Sequence, residues 1–287
     1  MLRKLTVLAA AVGLALAAVS TAQAASTHKE PEAPAEGWSF QGPFGQYDQQ
    51  QLQRGYKVYR EVCSSCHSMN LIAFRNLGDP GGPYWDPKYK NSVENGYVKA
   101  IAKDYQVADI DRDTGDAIKR PGTPADHFVA PFANEAAARA SNGGALPPDM
   151  SLLARAREGG PAYIYSIVTG YVATPPAGLK VPPGKFYNPY MQGDLSSFWS
   201  GDPNKVPEGG FIAMPPPLAD NKVSFDDGTK STLHNEARDV AAFLMWTADP
   251  KMEQRKETGL AVMIFLLLFT GILYASYRAL WRNIDHH

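Results

Sequence analysis

The sequence predicts a mainly α-helical domain with long Gly/Pro-rich loops, ended by one C-terminal transmembrane helix. Three observations carry this fold class. Short segments with apolar residues at helical spacing lie near residues 49–63, 149–171 and 231–250. Between them run stretches rich in the chain's 25 glycines and 23 prolines, which break regular structure. Near the end, Thr258 to Tyr277 is an apolar run without a single charge.

In chain order, the first element is a leader. Arg3 and Lys4 precede a Leu/Ala/Val run that closes on Ala22-Gln23-Ala24. A basic start, an apolar middle and a small-residue cleavage pattern define a secretory signal, expected at 1–24. The domain after it, 25–257, is then exported. With 28 Lys+Arg against 29 Asp+Glu, and the acidic excess inside the exported part, the composition argues against a nucleic-acid partner.

The segment "YDQQQLQRGYKVYREVCSSCH" aligns Leu52, Tyr56, Tyr59 and Cys63 on one helical face. Its end, Cys63-Ser64-Ser65-Cys66-His67, holds both cysteines of the chain. A CxxC pair serves as a redox dithiol, as half of a zinc site or as the thioether anchor of a c-type haem. A dithiol wants a βαβ setting and a structural zinc wants four ligands. Neither is visible here. Covalent haem uses all three residues: Cys63 and Cys66 add to the vinyl groups and His67 ligates the iron.

Farther on, "DIDRDTGD" (109–116) reads as an acidic solvated loop or, more sharply, a docking patch. "DMSLLARAREGGPAYIYSIVTGY" reads as two short helices broken at Gly159-Gly160-Pro161. "STLHNEARDVAAFLMWTADPK" reads as an amphipathic helix with Val240, Phe243, Leu244 and Trp246 on its apolar side, stopped by Pro250. The span 258–277 covers about 30 Å at 1.5 Å per residue. Tyr274, Tyr277 and Trp281 form an aromatic belt at its far end, and 278–287 is left as a cytoplasmic tail.

An electron-transferring haem needs a second axial ligand, and a thioether raises its potential. Met69 is too near His67 in sequence to reach the other face. Met245 sits inside the apolar helix before Pro250, Met252 next to the membrane and Met263 within the span. Met150, Met191 and Met214 remain, and the three prolines after Met214 favour it by stiffening its loop.

The blocks "NGGALPPDMSLLARAR", "FYNPY", "AMPPPL", "FDDGT" and "ARDVAAFLMWTADPK", in this order and followed by one span, resemble the cytochrome c1 family from about residue 38 to 282. The resemblance implies a c-type cytochrome domain with one haem c, anchored by Cys63 and Cys66 and ligated by His67 and Met214. It implies that Asn142, Ala145, Pro147 and Pro148 line the haem and that Arg157 and Tyr163 meet its propionates. It also implies electron transfer from a Rieske iron–sulfur protein to a soluble cytochrome c. The setting would be a dimeric bc1 complex with cytochrome b, in the bacterial inner membrane, with the haem domain in the periplasm. The alternatives are a membrane-anchored cytochrome feeding a terminal oxidase and a haem sensor with an open sixth position. Two features depart from the pattern. An insert at 191–213 separates "FYNPY" from Met214, and no spare cysteine exists to brace it. Phe198, Trp199 and Phe211 are expected to do that by packing.

Overall fold

The computed structural model describes residues 28–282; the expected leader and the last five residues of the expected tail lie outside them. Seven α-helices are formed among the described residues: α1 Gln49–Glu61, α2 Gly96–Lys103, α3 Glu135–Ser141, α4 Leu153–Ala156, α5 Pro161–Thr169, α6 Leu233–Ala248 and α7 Met252–Trp281. Two small antiparallel pairs accompany them. β1 Gln106–Ile110 pairs with β2 Ala117–Pro121, and β3 Phe186–Asn188 pairs with β4 Gly210–Ile212. The fold is mainly α, as the sequence predicts.

Helix α1 starts where Asp48 accepts a hydrogen bond from the Gln51 N–H, satisfying one of the donors left open at a helix start. Its buried face holds Leu52, Tyr56 and Tyr59, and Cys63 follows in a 3-10 turn packed against the core. That face lies on α6. At Gly55 the crossing is so close that a Cβ would sit 2.0 Å from the Asp239 carbonyl, so only glycine fits.

Helix α6 differs from the expected amphipathic helix. From Glu236 to Thr247 every residue except Arg238 is buried. The reason is its central position, packed between α1, α4 and α5. Its acidic residues survive burial because they are partnered. Asp239 accepts from Arg54 Nε (2.5 Å), Gln51 Nε2 (3.0 Å) and Arg238 Nε (3.1 Å). Glu236 accepts from the Val223 N–H (3.0 Å) and the Ser231 hydroxyl (2.5 Å).

The acidic stretch 109–116 is not a free loop either. Asp109 lies in β1 and residues 111–116 form the tip of the β1–β2 hairpin. Arg120 on β2 binds Asp109 (2.5 Å) and Asp126 (2.7 Å), which removes Asp109 from the uncompensated charge. The expected break between α4 and α5 falls at Gly159-Gly160, and Pro161 opens α5 where its missing N–H costs nothing.

Helix α7 begins at Met252, six residues ahead of the apolar run, and its apolar part is exposed along its length. It is long and apolar enough to cross a membrane. Its first turn is stitched to the domain. Glu253 accepts from the Tyr47 N–H (2.7 Å), and Arg255 forks onto Asp249 (2.6 and 2.7 Å). Lys256 donates to the carbonyls of Phe40 and Gly45 (2.8 and 2.9 Å).

Candidate functional site

At the end of α1 the chain tightens. The amides of Cys66 and His67 both donate to the Cys63 carbonyl (3.1 and 2.9 Å), which turns the two thiols and the imidazole into one compact cluster. Neither cysteine is in a disulfide, and both are half-buried. Burial, with the neighbouring Cys66 adding to it, pushes the Cys63 thiol up to about 12. It therefore stays a neutral thiol at ordinary pH.

His67 is buried, and its Nδ1 lies 2.8 Å from the Pro148 carbonyl. A carbonyl can only accept, so Nδ1 carries the proton and donates. Nε2 is left with its lone pair, the state an iron ligand needs. Burial lowers the imidazole's pKa against the Pro148 contact and the Asp149 charge, which favours the neutral ring.

The segment that supplies Pro148 is bolted to the segment that supplies His67. Asp149 accepts from the Ser68 hydroxyl and the Asn70 N–H through one oxygen (both 2.8 Å), and from the Ser151 N–H through the other (2.8 Å). The Met150 N–H donates to the Ser68 carbonyl (2.8 Å) and the Leu71 N–H to the Ser151 hydroxyl (3.0 Å). Burial works to raise the Asp149 pKa, but donors from Ser151, Asn70 and Ser68 hold it below the usual carboxylate range. Met150 itself is buried in the hydrophobic core on this His67 side. Just upstream, Asn142 ends α3 by donating to the Ala138 carbonyl (2.7 Å), and Ala145 donates back to the Asn142 carbonyl (3.1 Å). Pro147 is half-buried and Pro148 exposed beyond its carbonyl contact.

Met214 arrives by another route. The insert 191–213 is pinched off by β3–β4, with Phe186 opposite Ile212, Tyr187 opposite Phe211 and Asn188 opposite Gly210. The ends of the insert meet, so its length does not loosen the chain that reaches Met214 two residues later. Gly209, at φ +108°, permits this pinch, since a Cβ there would come within 2.5 Å of the Asn188 carbonyl. The expected brace is formed by Phe198 and Phe211, edge to face at 5.1 Å. Trp199 instead bridges to Leu179 and donates its indole N–H to the Asp202 carbonyl (2.9 Å). Met214 is half-buried, and its carbonyl accepts from the Tyr171 hydroxyl (2.9 Å). Asn188 links this hairpin to α5 by donating to the Ile167 carbonyl (2.8 Å).

Tyr163, on α5, donates weakly to the Met191 sulfur at 3.9 Å. Arg157 is exposed just after α4, bonded only to the neighbouring Ala156 carbonyl, with no acidic partner among the described residues. Its neighbour Arg155 is committed to Asp249. Sequence reasoning missed Asp149, Ser151 and Tyr171. The Pro-Pro-Asp-x-Ser pattern signals the turn that Asp149 caps, but its partners lie about 80 residues away.

Residues 38–284 match the model of the Cytochrome C1 family. The chain is similar to the cytochrome c1 of Rhodospirillum rubrum, 41% identical with 96% of both chains covered. It is similar to the cytochrome c1 of Blastochloris viridis, at 38% identity with 94% of this chain and 93% of that one covered. It is 41% identical to the cytochrome b/c1 of Bradyrhizobium diazoefficiens over 96% of its own length, where it spans 39% of that longer protein.

Proposed function

Since the chain belongs to the cytochrome C1 family, we propose that it is the haem-bearing electron-transfer subunit of a bc1-type quinol–cytochrome c reductase. It takes single electrons from a Rieske iron–sulfur protein and passes them to a soluble cytochrome c. It works beside cytochrome b in a dimeric complex, anchored by α7 in the bacterial inner membrane with the folded domain in the periplasm.

One haem c fits the residues present. Cys63 and Cys66 would carry its thioethers, His67 and Met214 would ligate its iron, and it would supply one-electron exchange between ferrous and ferric iron. The chain's own residues do the rest. The Pro148 carbonyl holds the Nδ1 proton of His67 and so fixes which nitrogen ligates. Asn142, Ala145, Pro147 and Pro148 line the site and keep water out. Arg157 and Tyr163 serve the propionates, and a guanidinium without an acidic partner is suited to take a carboxylate in a forked pair. No bond-making centre is needed in this chain. The hairpin tip, where Asp113 and Asp116 lie exposed beside a half-buried Asp111, steers a basic soluble partner.

The observation that carries this reading is the His67–Pro148 hydrogen bond, which presents a bare Nε2 next to two unpaired thiols. Membranes lacking the chain should lose quinol-driven cytochrome c reduction. The wild-type chain should restore it and a Cys63→Ser/Cys66→Ser chain should not. Mild-detergent purification should bring cytochrome b and a Rieske protein; co-purification with a terminal oxidase instead would contradict the assignment.

A further inference from the structure

The loop 41–46 carries one large apolar side chain pointing away from the protein. Phe44 is 76% exposed, while the aromatics flanking it in sequence, Trp38, Phe40 and Tyr47, are all buried. Trp38 stacks on Phe40 at 5.4 Å between ring centroids and Tyr47 meets Phe40 at a tilt at 5.2 Å, so the base of the loop is fixed. The loop is also tied to the first turn of α7 by Tyr47 on Glu253 and by Lys256 on the carbonyls of Phe40 and Gly45. A rigid loop that buries three aromatics and holds out a fourth has exposed it by construction.

Its position relative to the span says what meets it. Phe44 and Pro43 share a groove with Lys256, Glu257 and Leu260. Leu260 lies two residues into the uncharged run that begins at Thr258, roughly 3 Å past its start at 1.5 Å per residue. Phe44 is therefore level with the edge of the apolar span, where polar headgroups give way to acyl chains. The helix has its own aromatic belt only at the other end, Tyr274, Tyr277 and Trp281. From Met252 to Ile264 it has no aromatic residue at all. Trp85, also surface-exposed, lies beside this end of the molecule: its carbonyl accepts from Gln49 (2.7 Å), and nearby Gly81 abuts Glu253 and the Pro250 carbonyl.

We propose that the Phe44 loop is a lipid-facing wedge that supplies the missing aromatic girdle on the domain side of the bilayer. Phe44 inserts into the boundary between headgroups and acyl chains, and the ties to Glu253 and Lys256 transmit that depth to the folded domain. A phenylalanine at this level is favoured by burial of its apolar ring at the headgroup–acyl boundary, the depth at which the Trp, Phe and Leu of interfacial amphipathic helices seat. The wedge sets the height at which the haem domain stands above the membrane. It rests on the reading of α7 as a span.

The test places a nitroxide label at Phe44→Cys, Leu260→Cys and Ile110→Cys in the full haem-loaded chain, both in phosphatidylcholine vesicles and in the native membrane complex. Collision with oxygen reports lipid, and collision with a water-soluble nickel chelate reports water. The label at 44 should follow the one at 260, with an oxygen-to-nickel ratio several-fold above that at 110 on the hairpin. A label at 44 that matches 110, while 260 remains in lipid, overturns the wedge and leaves the span intact. A label at 44 shielded from both reagents in the native complex assigns the loop to a protein neighbour and also overturns it. A water-exposed label at 260 defeats the span and the wedge together.

Discussion

The two segments that present His67 and Met214 are built on opposite plans. His67 sits in a bracket of short, charge-assisted and backbone hydrogen bonds, in which Asp149, Ser151 and Pro148 bind residues 67–71 directly. Met214 hangs beyond a three-residue strand pair, held at its own carbonyl by one tyrosine hydroxyl. The first plan fixes an imidazole, its tautomer included. The second limits the freedom of a methionine's loop, through Gly209, β3–β4 and the prolines after Met214. The Met214 side should therefore be the softer one, and loosening it should leave the His67 side intact.

The largest effect belongs to the anchor. Cys63→Ser with Cys66→Ser should leave no covalent haem on a denaturing gel, and covalent haem retained in the double variant would remove the thioether assignment. Next comes the bracket. Asp149→Ala strips a carboxylate from three donors and should cost about 2–3 kcal/mol, since hydrogen bonds to charged groups are worth ~1.5–3 kcal/mol and do not add fully. Thermal unfolding checks this, and the red thioether–iron band should persist up to the lowered transition.

Tyr171→Phe should do the reverse. It removes one neutral hydrogen bond, about 0.5–1.5 kcal/mol, and should barely change the global transition. On warming, the red band should fade well before unfolding, which it should not do in Asp149→Ala. If both variants lose band and fold together, the two sides are one cooperative unit and the contrast is wrong.

A smaller effect concerns the joint between domain and span. Burial works to raise the Asp249 pKa, but Arg255 and Arg155 hold it below its ordinary value of 3.8. A depressed carboxylate gives stability above its unfolded pKa and loses it as pH falls through the folded one. Asp249→Asn should thus cost about 1 kcal/mol at pH 7, discounted for the half-exposed arginines. The gap to wild type should close as pH drops below about 3.8. Equal stability at neutral pH would mean the joint contributes nothing. Smallest of all, Asp113→Asn with Asp116→Asn should slow reaction with a basic cytochrome c roughly two- to five-fold at low salt and flatten the salt dependence. An unchanged slope would return the hairpin tip to ordinary solvated surface.

Much of this was legible in the sequence because its signals are local. The period of Leu52, Tyr56 and Tyr59 predicts α1, the Gly159-Gly160-Pro161 break separates α4 from α5, and the uncharged run predicts the exposed part of α7. What was not legible depends on partners far along the chain. The burial of α6 all round could not be read from its own residues, because Asp239 is satisfied by Gln51 and Arg54, 188 and 185 positions away. The β1–β2 hairpin escaped because its charges mask a strand that Arg120 neutralises. Asp149 and Tyr171 went unnoticed for the same reason: nothing nearby shows what each holds in place.

The central claim is that Met214, and not the buried Met150, completes the site opposite His67. Met214→Leu and Met150→Leu, purified with covalent haem, should be compared by visible spectrum and redox titration. Met214→Leu should lose the red band, open the iron to carbon monoxide and lower the potential by about 0.2–0.4 V, within the roughly 0.8 V that axial ligands span. Met150→Leu should keep the band and the potential and lose only some stability. Loss of the band in Met150→Leu, with Met214→Leu unchanged, would contradict the account.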